Sequence, residues 1–338
     1  MRRRVLLRAG AVAPALSMLS SHAARIPPDI AELRRFLALP ESDIDIAAVK
    51  LSIDKMVDPS ADIQRAERQV QELATAAAAI AGLRIFGEPP PVDVRVNAVR
   101  TCLYRPGPWN AQRAFRYDLQ NDPTGTKILA NKLLPHYLET RLGNCVSMPA
   151  LFLVLAQKLR LDATLATAPE HTFVKVKTEA GTYSNHECTD DGGLKSDASY
   201  IREFEIAATA VQKGIYLRPL TRKQTVLVMA ATLGEHYYRT SNVADLHALA
   251  DLMLEHEPYG LEGNRTRTAA YGLALDLRYR RKYARFEDVP VEDRAGASQL
   301  LKSLNDLEKK AYALGWRPPS ADFEANYQRL VKSVSHGS

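Results

Sequence analysis

Cysteine is scarce in this chain. Its 338 residues contain three, Cys102, Cys145 and Cys188, and no two of them form a Cys-x-x-Cys pair. Three cysteines cannot staple a disulfide-built fold, so a hydrophobic core has to hold the protein together. Long apolar runs are missing as well. Beyond the first residues nothing approaches the ~20 consecutive apolar positions of a membrane-spanning helix. An excess of one charge is also lacking. Of the net +6, four charges belong to Arg2, Arg3, Arg4 and Arg8, and the remainder of the chain carries only +2. A near-neutral body has no basic stripe to neutralise a phosphate backbone, which argues against a nucleic-acid partner.

What is present is the composition of an ordinary globular protein, 46% hydrophobic and 25% charged with mean hydropathy −0.24. A chain of this length outgrows a single compact core and is expected to divide into two or three domains. Residues 1–23 read as an export leader. The basic start is followed by a modestly apolar stretch from Ala9 to Leu19, and the run Ser21-His22-Ala23 then has small residues where a cleavage site needs them. Export places the protein in the periplasm, with no membrane span once the leader is removed. A leader that does not function leaves it cytoplasmic. In an exported chain Cys102 and Cys188 can pair, leaving Cys145 as an odd free thiol.

Hydrophobic periodicity divides the rest. Ile46, Val49, Ile53, Met56 and Val57 recur at helical spacing, as do Ile63, Ala66, Val70, Leu73 and Ala77 beyond the Asp58-Pro59-Ser60 break. Two amphipathic helices over a short joint form an α-hairpin, and the Pro89-Pro90-Pro91 run ends an N-terminal helical region at residues 26–91. Within residues 92–215 a helical segment carries Ile128, Leu129, Leu133, Leu134 and Leu138, and another begins just after Cys145 with Met148, Leu151, Phe152, Leu155 and Leu159 on its buried face. A strand is expected over residues 161–166. Residues 172–177 alternate as a strand, and residues 182–188 return as its partner beyond the Glu179-Ala180-Gly181 turn. A helix followed by antiparallel strands is an α+β order. Residues 216–338 read as helical. There Leu233, Gly234, Tyr237 and Pro258 match spaced positions of a tetratricopeptide repeat, with Ala230 in place of its usual tryptophan.

Chemistry gathers in the central block. Cys145 sits at the head of an apolar helix, where unpaired N–H groups and the helix dipole favour a thiolate, the nucleophilic form. His171 heads a strand, and Asn185 lies on the next arm of the same hairpin. An imidazole needs a third group of this kind to hold its tautomer and aim it at the sulfur.

The runs from Arg141 to Pro149, from Pro169 to Val174 and from Tyr183 to Glu187 resemble the three blocks of the transglutaminase-like superfamily, and most closely its SirB1-like branch. That resemblance implies a papain/transglutaminase-like core, helix packed on antiparallel sheet, between an N-terminal helical region and a C-terminal tetratricopeptide-like one. It implies Cys145 as nucleophile, His171 as base and Asn185 where an aspartate is commoner, acting on a protein or peptide substrate without cofactor or metal. Many SirB1-like members lack the cysteine that is present here. The expected reaction is acyl transfer at an amide or peptide bond, ending in hydrolysis or transfer to an amine. The alternative is a non-catalytic module that binds a protein partner on its C-terminal helices.

Blander readings stand beside these. A cysteine is often a small buried hydrophobe and a histidine a satisfied core residue. His186 or Asp190 can take the role given to Asn185. The cluster His186, Glu187, Cys188, Asp190 and Asp191 lacks a recognised metal-ligand spacing. Trp109 and Tyr183 are candidates for a substrate groove or for core packing.

Overall fold

A computed structural model describes residues 26–317 and residue 320; the leader expected at residues 1–23 lies outside the described residues. Within them the fold is α+β: helices packed on two small open sheets, with helical extensions on both sides of the central block. No helix among the described residues is long and apolar enough to cross a membrane.

The N-terminal helices are α1 (Pro28–Ala38), α2 (Ile46–Val57) and α3 (Ile63–Ala81). The Asp45 side chain accepts the N–H groups of Ala47 and Ala48 to cap α2, and Asp62 caps α3 through Arg65 N–H. Gly82, at φ +66, closes α3 in the left-handed conformation that favours glycine. Pro28 occupies the first turn of α1, where its missing N–H leaves no bond unmade.

The segment between α4 (Val92–Tyr104) and the central helix is more broken than its leucines suggest. The single helix expected around Leu129 to Leu138 is a 3-10 turn, Leu129–Lys132, followed by the short α5 (Leu134–Thr140). The break at Leu133 suits Pro135, which has no N–H to bond back into the preceding turn and so lies in the first turn of a new helix. A parallel pair, β1 (Arg116–Tyr117) with β2 (Leu142–Gly143), brings the chain up to Cys145. Helix α6 (Ser147–Lys158) then runs through the middle of the molecule, buried on every side from Ser147 to Ala156 rather than along one face. Phe152 and Leu155 are fully buried, and truncating a leucine there would cost about 2–5 kcal/mol.

The main sheet is antiparallel in the order β3 (Ala163–Ala168), β4 (His171–Lys177), β5 (Tyr183–Glu187) and β6 (Gly193–Leu194). Its register pairs Ala168 with His171, Lys175 with Asn185 and Val174 with His186. Val174 and Val176 belong to the large core around α6. Ala166, Ala168 and Phe173 form a second, smaller core with Tyr200 of α7 (Asp197–Glu203), Ala210 of α8 (Ala208–Gln212), Tyr216 and Leu217. The outer edge of β3 is covered: Leu217 N–H donates to Thr167 O and Leu220 N–H to Leu165 O.

Beyond Leu220 come α9 (Arg222–Arg239), α10 (Val243–His256), α11 (Leu261–Leu275) and α12 (Val291–Leu314). Gly234 of α9 meets Leu249 and Leu246 of α10, where a Cβ would already lie 3.3 Å from Leu249. The large core is continuous from Ile30 of α1 to Leu273 of α11, so the N-terminal helices, α6 and the first C-terminal helices share one interior.

Candidate active site

The head of α6 is set by three residues before it. Gly143 is required by space, because a Cβ there would lie 2.4 Å from Ser147 Oγ and 2.6 Å from the Tyr137 ring. Asn144 is fully buried, and its Oδ1 accepts the N–H groups of Val146 at 3.0 Å and Ser147 at 3.4 Å, satisfying donors that open the helix. Ser147 Oγ donates to Asn131 O at 2.6 Å and accepts Asn144 N–H at 3.2 Å. Cys145 is thereby held in the turn that enters α6. Among the described residues no atom accepts its backbone N–H.

Cys145 is the only one of the three cysteines not buried, and all three are free. The pairing considered for Cys102 and Cys188 is not formed. Both are packed in the core, and burial pushes the Cys102 thiol up to about 12 and the Cys188 thiol well above its ordinary range.

His171 is the first residue of β4, immediately after the two-residue turn Pro169-Glu170. The Cys145 thiol donates to Glu170 O at 3.7 Å, and its side chain lies near enough to the His171 ring to act on that ring's charge. Thr172 Oγ1 donates to Cys145 O, a second tie between β4 and the head of α6. The ring is stacked on Phe204, with centroids 5.2 Å apart and planes at 22°.

The third partner is not Asn185. That residue faces Lys175 across the hairpin and accepts its Nζ at 2.6 Å, while its own amide donates to Lys195 O and Asp197. Lys175 is four positions along β4 from His171, about 13 Å of extended strand. Glu187 fills the place instead. His171 Nε2–H donates to Glu187 Oε2 at 2.8 Å, and the Tyr200 hydroxyl donates to the same oxygen at 2.9 Å. Thr189 donates its N–H and hydroxyl to Oε1, at 3.0 and 2.7 Å. With Nε2 engaged by the carboxylate, Nδ1 is the ring nitrogen left for the sulfur.

His186 and Asp190 do not take this role. His186 points to the opposite face, stacked on Phe152, with Nδ1–H donating to Gly192 O at 3.1 Å. Burial lowers its pKa, as for a satisfied core histidine. Asp190 lies in the turn after β5. Because His186 and Glu187 face opposite ways, the cluster considered for a metal does not converge. No group of three metal-ligating side chains does so among the described residues. Trp109 packs against the core and Tyr183 lies at the far end of β5, away from the Cys145 turn.

Two opposed effects set the charge of the pair. Burial disfavours a proton on His171, but the Glu187 carboxylate and the Cys145 side chain outweigh it and raise its pKa to about 10. Burial likewise disfavours ionised Glu187, yet His171 and Thr189 bring it down to about 2. Between those limits the site holds an imidazolium against a carboxylate, with a sulfur on the other side of the ring. Such a group can deliver a proton to the group that leaves the carbon the sulfur attacks.

Sequence reasoning missed Glu187 although a signal was there. With Ala180 at the centre of the hairpin turn, Asn185 falls opposite Lys175 and Glu187 opposite Phe173, on the face that His171 shares. Tyr200 and Phe204 carried no sequence signal, since their approach depends on how α7 folds under the sheet, and Thr189 reaches Glu187 through the turn after β5.

Residues 66–231 match the family model described as the transglutaminase-like superfamily. No curated protein and no solved structure matches the chain.

Proposed function

We propose that residues 66–231, which match the transglutaminase-like superfamily model, form a thiol enzyme acting on amide or peptide bonds through an acyl-enzyme on Cys145. The observation that supports this best is the Cys145 side chain beside a His171 ring whose Nε2–H donates to the Glu187 carboxylate, with Thr172 tying the two segments together. Cys145 is the nucleophile, His171 the acid and base, and Glu187 the residue that fixes the ring.

The Cys145 sulfur attacks the carbonyl carbon of an amide, and the carbonyl oxygen becomes an oxyanion. The free N–H of Cys145, at the positive end of α6, is the donor available to hold it. His171 passes its proton to the amide nitrogen, the carbon–nitrogen bond breaks, and an amine departs. A thioester remains. Water or a primary amine then attacks that carbonyl, giving up a proton to His171 as the carbon–sulfur bond breaks. Water gives hydrolysis, and a lysine-type amine gives a crosslink.

Three finer assignments accompany this reading. The motifs around Cys145 and His171 support placement in the SirB1-like branch. The close approach of α9 and α10 at Gly234 supports a tetratricopeptide-like C-terminal region, whose helices offer a surface for a protein partner. The basic and apolar opening of the sequence supports export to the periplasm.

The test is turnover of a peptide-amide library with hydroxylamine as a competing acceptor. Wild-type protein is expected to release amine and form hydroxamate, while Cys145→Ala and His171→Ala do neither. A Cys145→Ala protein as active as wild type would remove the proposal.

A further inference from the structure

The turn ahead of His171 has an unexpected residue in it. Glu170 adopts φ +54, a left-handed conformation that glycine takes without penalty and a side chain does not. In a two-residue turn after Pro169 this is the position where glycine is favoured. The glutamate there has a partner far along the chain. Arg265, on α11, places Nη2 2.6 and 2.8 Å from its two carboxylate oxygens. The backbone carbonyl of the same glutamate faces the Cys145 sulfur at 3.7 Å. One residue thus touches the nucleophile with its main chain, precedes the base in sequence, and is anchored through its side chain to the C-terminal helices.

Arg265 is itself held in place. Glu262, one turn earlier on α11, acts on its charge, as does Glu170. Tyr216, whose buried hydroxyl has no hydrogen-bond partner among the described residues, lies in the same electrostatic neighbourhood. Both members of the Arg265–Glu170 pair are partly exposed, with side chains 38% and 63% accessible. An exposed pair of this kind adds little to stability, so folding alone does not account for a strained glutamate at this position.

Building on the thiol-enzyme reading above, we propose that Arg265 is a positioning residue: through Glu170 it fixes the Pro169-Glu170 turn, and with it the alignment of His171 and Cys145. The helices after Leu220 are then part of the site's geometry, and displacement of α11 loosens the pair of reacting groups.

The experiment follows the rate at which iodoacetamide alkylates Cys145, mapped by mass spectrometry over a pH series, alongside melting temperature. No substrate has to be known. Glu170→Gly relieves the backbone conformation while cutting the link to Arg265, and Arg265→Met cuts it from the other side. Both are expected to slow Cys145 labelling about tenfold at mildly acidic pH, in line with the sensitivity of reacting groups to small displacements. Melting temperature should stay near that of wild type. The reversed pair, Glu170→Arg with Arg265→Glu, should recover part of the rate. Arg34→Met, which breaks the comparable pair with Glu255 away from the site, should label as wild type does. Labelling unchanged in Glu170→Gly and Arg265→Met would overturn the proposal, as would a loss that merely follows melting temperature. His171→Ala separates the two levels: if it too labels as wild type, the thiol-enzyme reading fails with the proposal. If it slows labelling while the Arg265 variants do not, only the role of Arg265 is lost.

Discussion

Glu187 is the residue on which the electrostatics of the site turn. Its carboxylate is buried, takes four hydrogen bonds from three side chains and one N–H, and neutralises the proton on His171. Glu187→Gln keeps the shape and removes the charge, so the remaining imidazole loses its main reason to stay protonated. Turnover should fall about 10²- to 10⁴-fold, as when the orienting carboxylate of a catalytic triad becomes an amide. The pH at which His171 loses its proton, followed by NMR, should move down from about 10. Asn185→Ala should leave that pH unchanged, because Asn185 serves Lys175 and not the ring. The pair also couples stability to pH. His171 is raised above its ordinary 6.5, so its contribution is complete below that pH and is lost as pH rises through about 10. Glu187 is depressed below its ordinary 4.5, so its contribution is complete above that pH and is lost as pH falls through about 2. The melting-temperature gap between wild type and Glu187→Gln should therefore be widest between 4.5 and 6.5, and narrow as pH rises toward 10. A gap that does not vary over that range would contradict the assigned charges.

At the scale of elements, the head of α6 depends on close approach. Gly143→Ala places a methyl group within 2.8 Å of Ser147 Oγ and the Tyr137 ring. Ser147 must then move, releasing Asn131 and the donor side of Asn144. The expected result is a loss of about 1–3 kcal/mol in denaturant unfolding, together with slower alkylation of Cys145. Much of this level was legible in the sequence. Apolar spacing located α2, α3 and α6, and alternation located β4, because each repeats the period of its own backbone, while the turn after β4 placed β5 as its partner. Less visible were α4, which buries Arg95 and Tyr104 amid its apolar positions, and the two-residue β1–β2 pair, too short for a period. The site was half legible. Cys145 and His171 stand at recognisable starts of elements, whereas the choice between Asn185 and Glu187 depended on counting hairpin register.

For the molecule as a whole, the connection between its parts is a buried ion pair. Lys50 and Asp54, both on α2 and fully buried, bond to each other. Lys50 also donates to Lys132 O at 2.8 Å, and Asp54 accepts Leu134 N–H at 2.7 Å. Those two peptide groups follow directly after Asn131, whose carbonyl receives Ser147, so the N-terminal helices brace the approach to α6. Lys50→Met leaves Asp54 buried without its counter-charge and should destabilise by about 3–5 kcal/mol, read in denaturant unfolding. With a core continuous from α1 to α11, tryptophan fluorescence and far-ultraviolet circular dichroism should report the same midpoint in that titration. Two separated midpoints would show that the interior is divided.

The segment carrying Leu217 and Leu220 has a bearing on how the protein behaves in crowded solution. By taking up carbonyls along the outer flank of β3, it denies a neighbouring copy the open backbone on which strands from different chains join. Fibre growth through that flank would first require peeling the segment away, so its grip on β3 guards the protein's solubility as well as linking the sheet to the helices that follow.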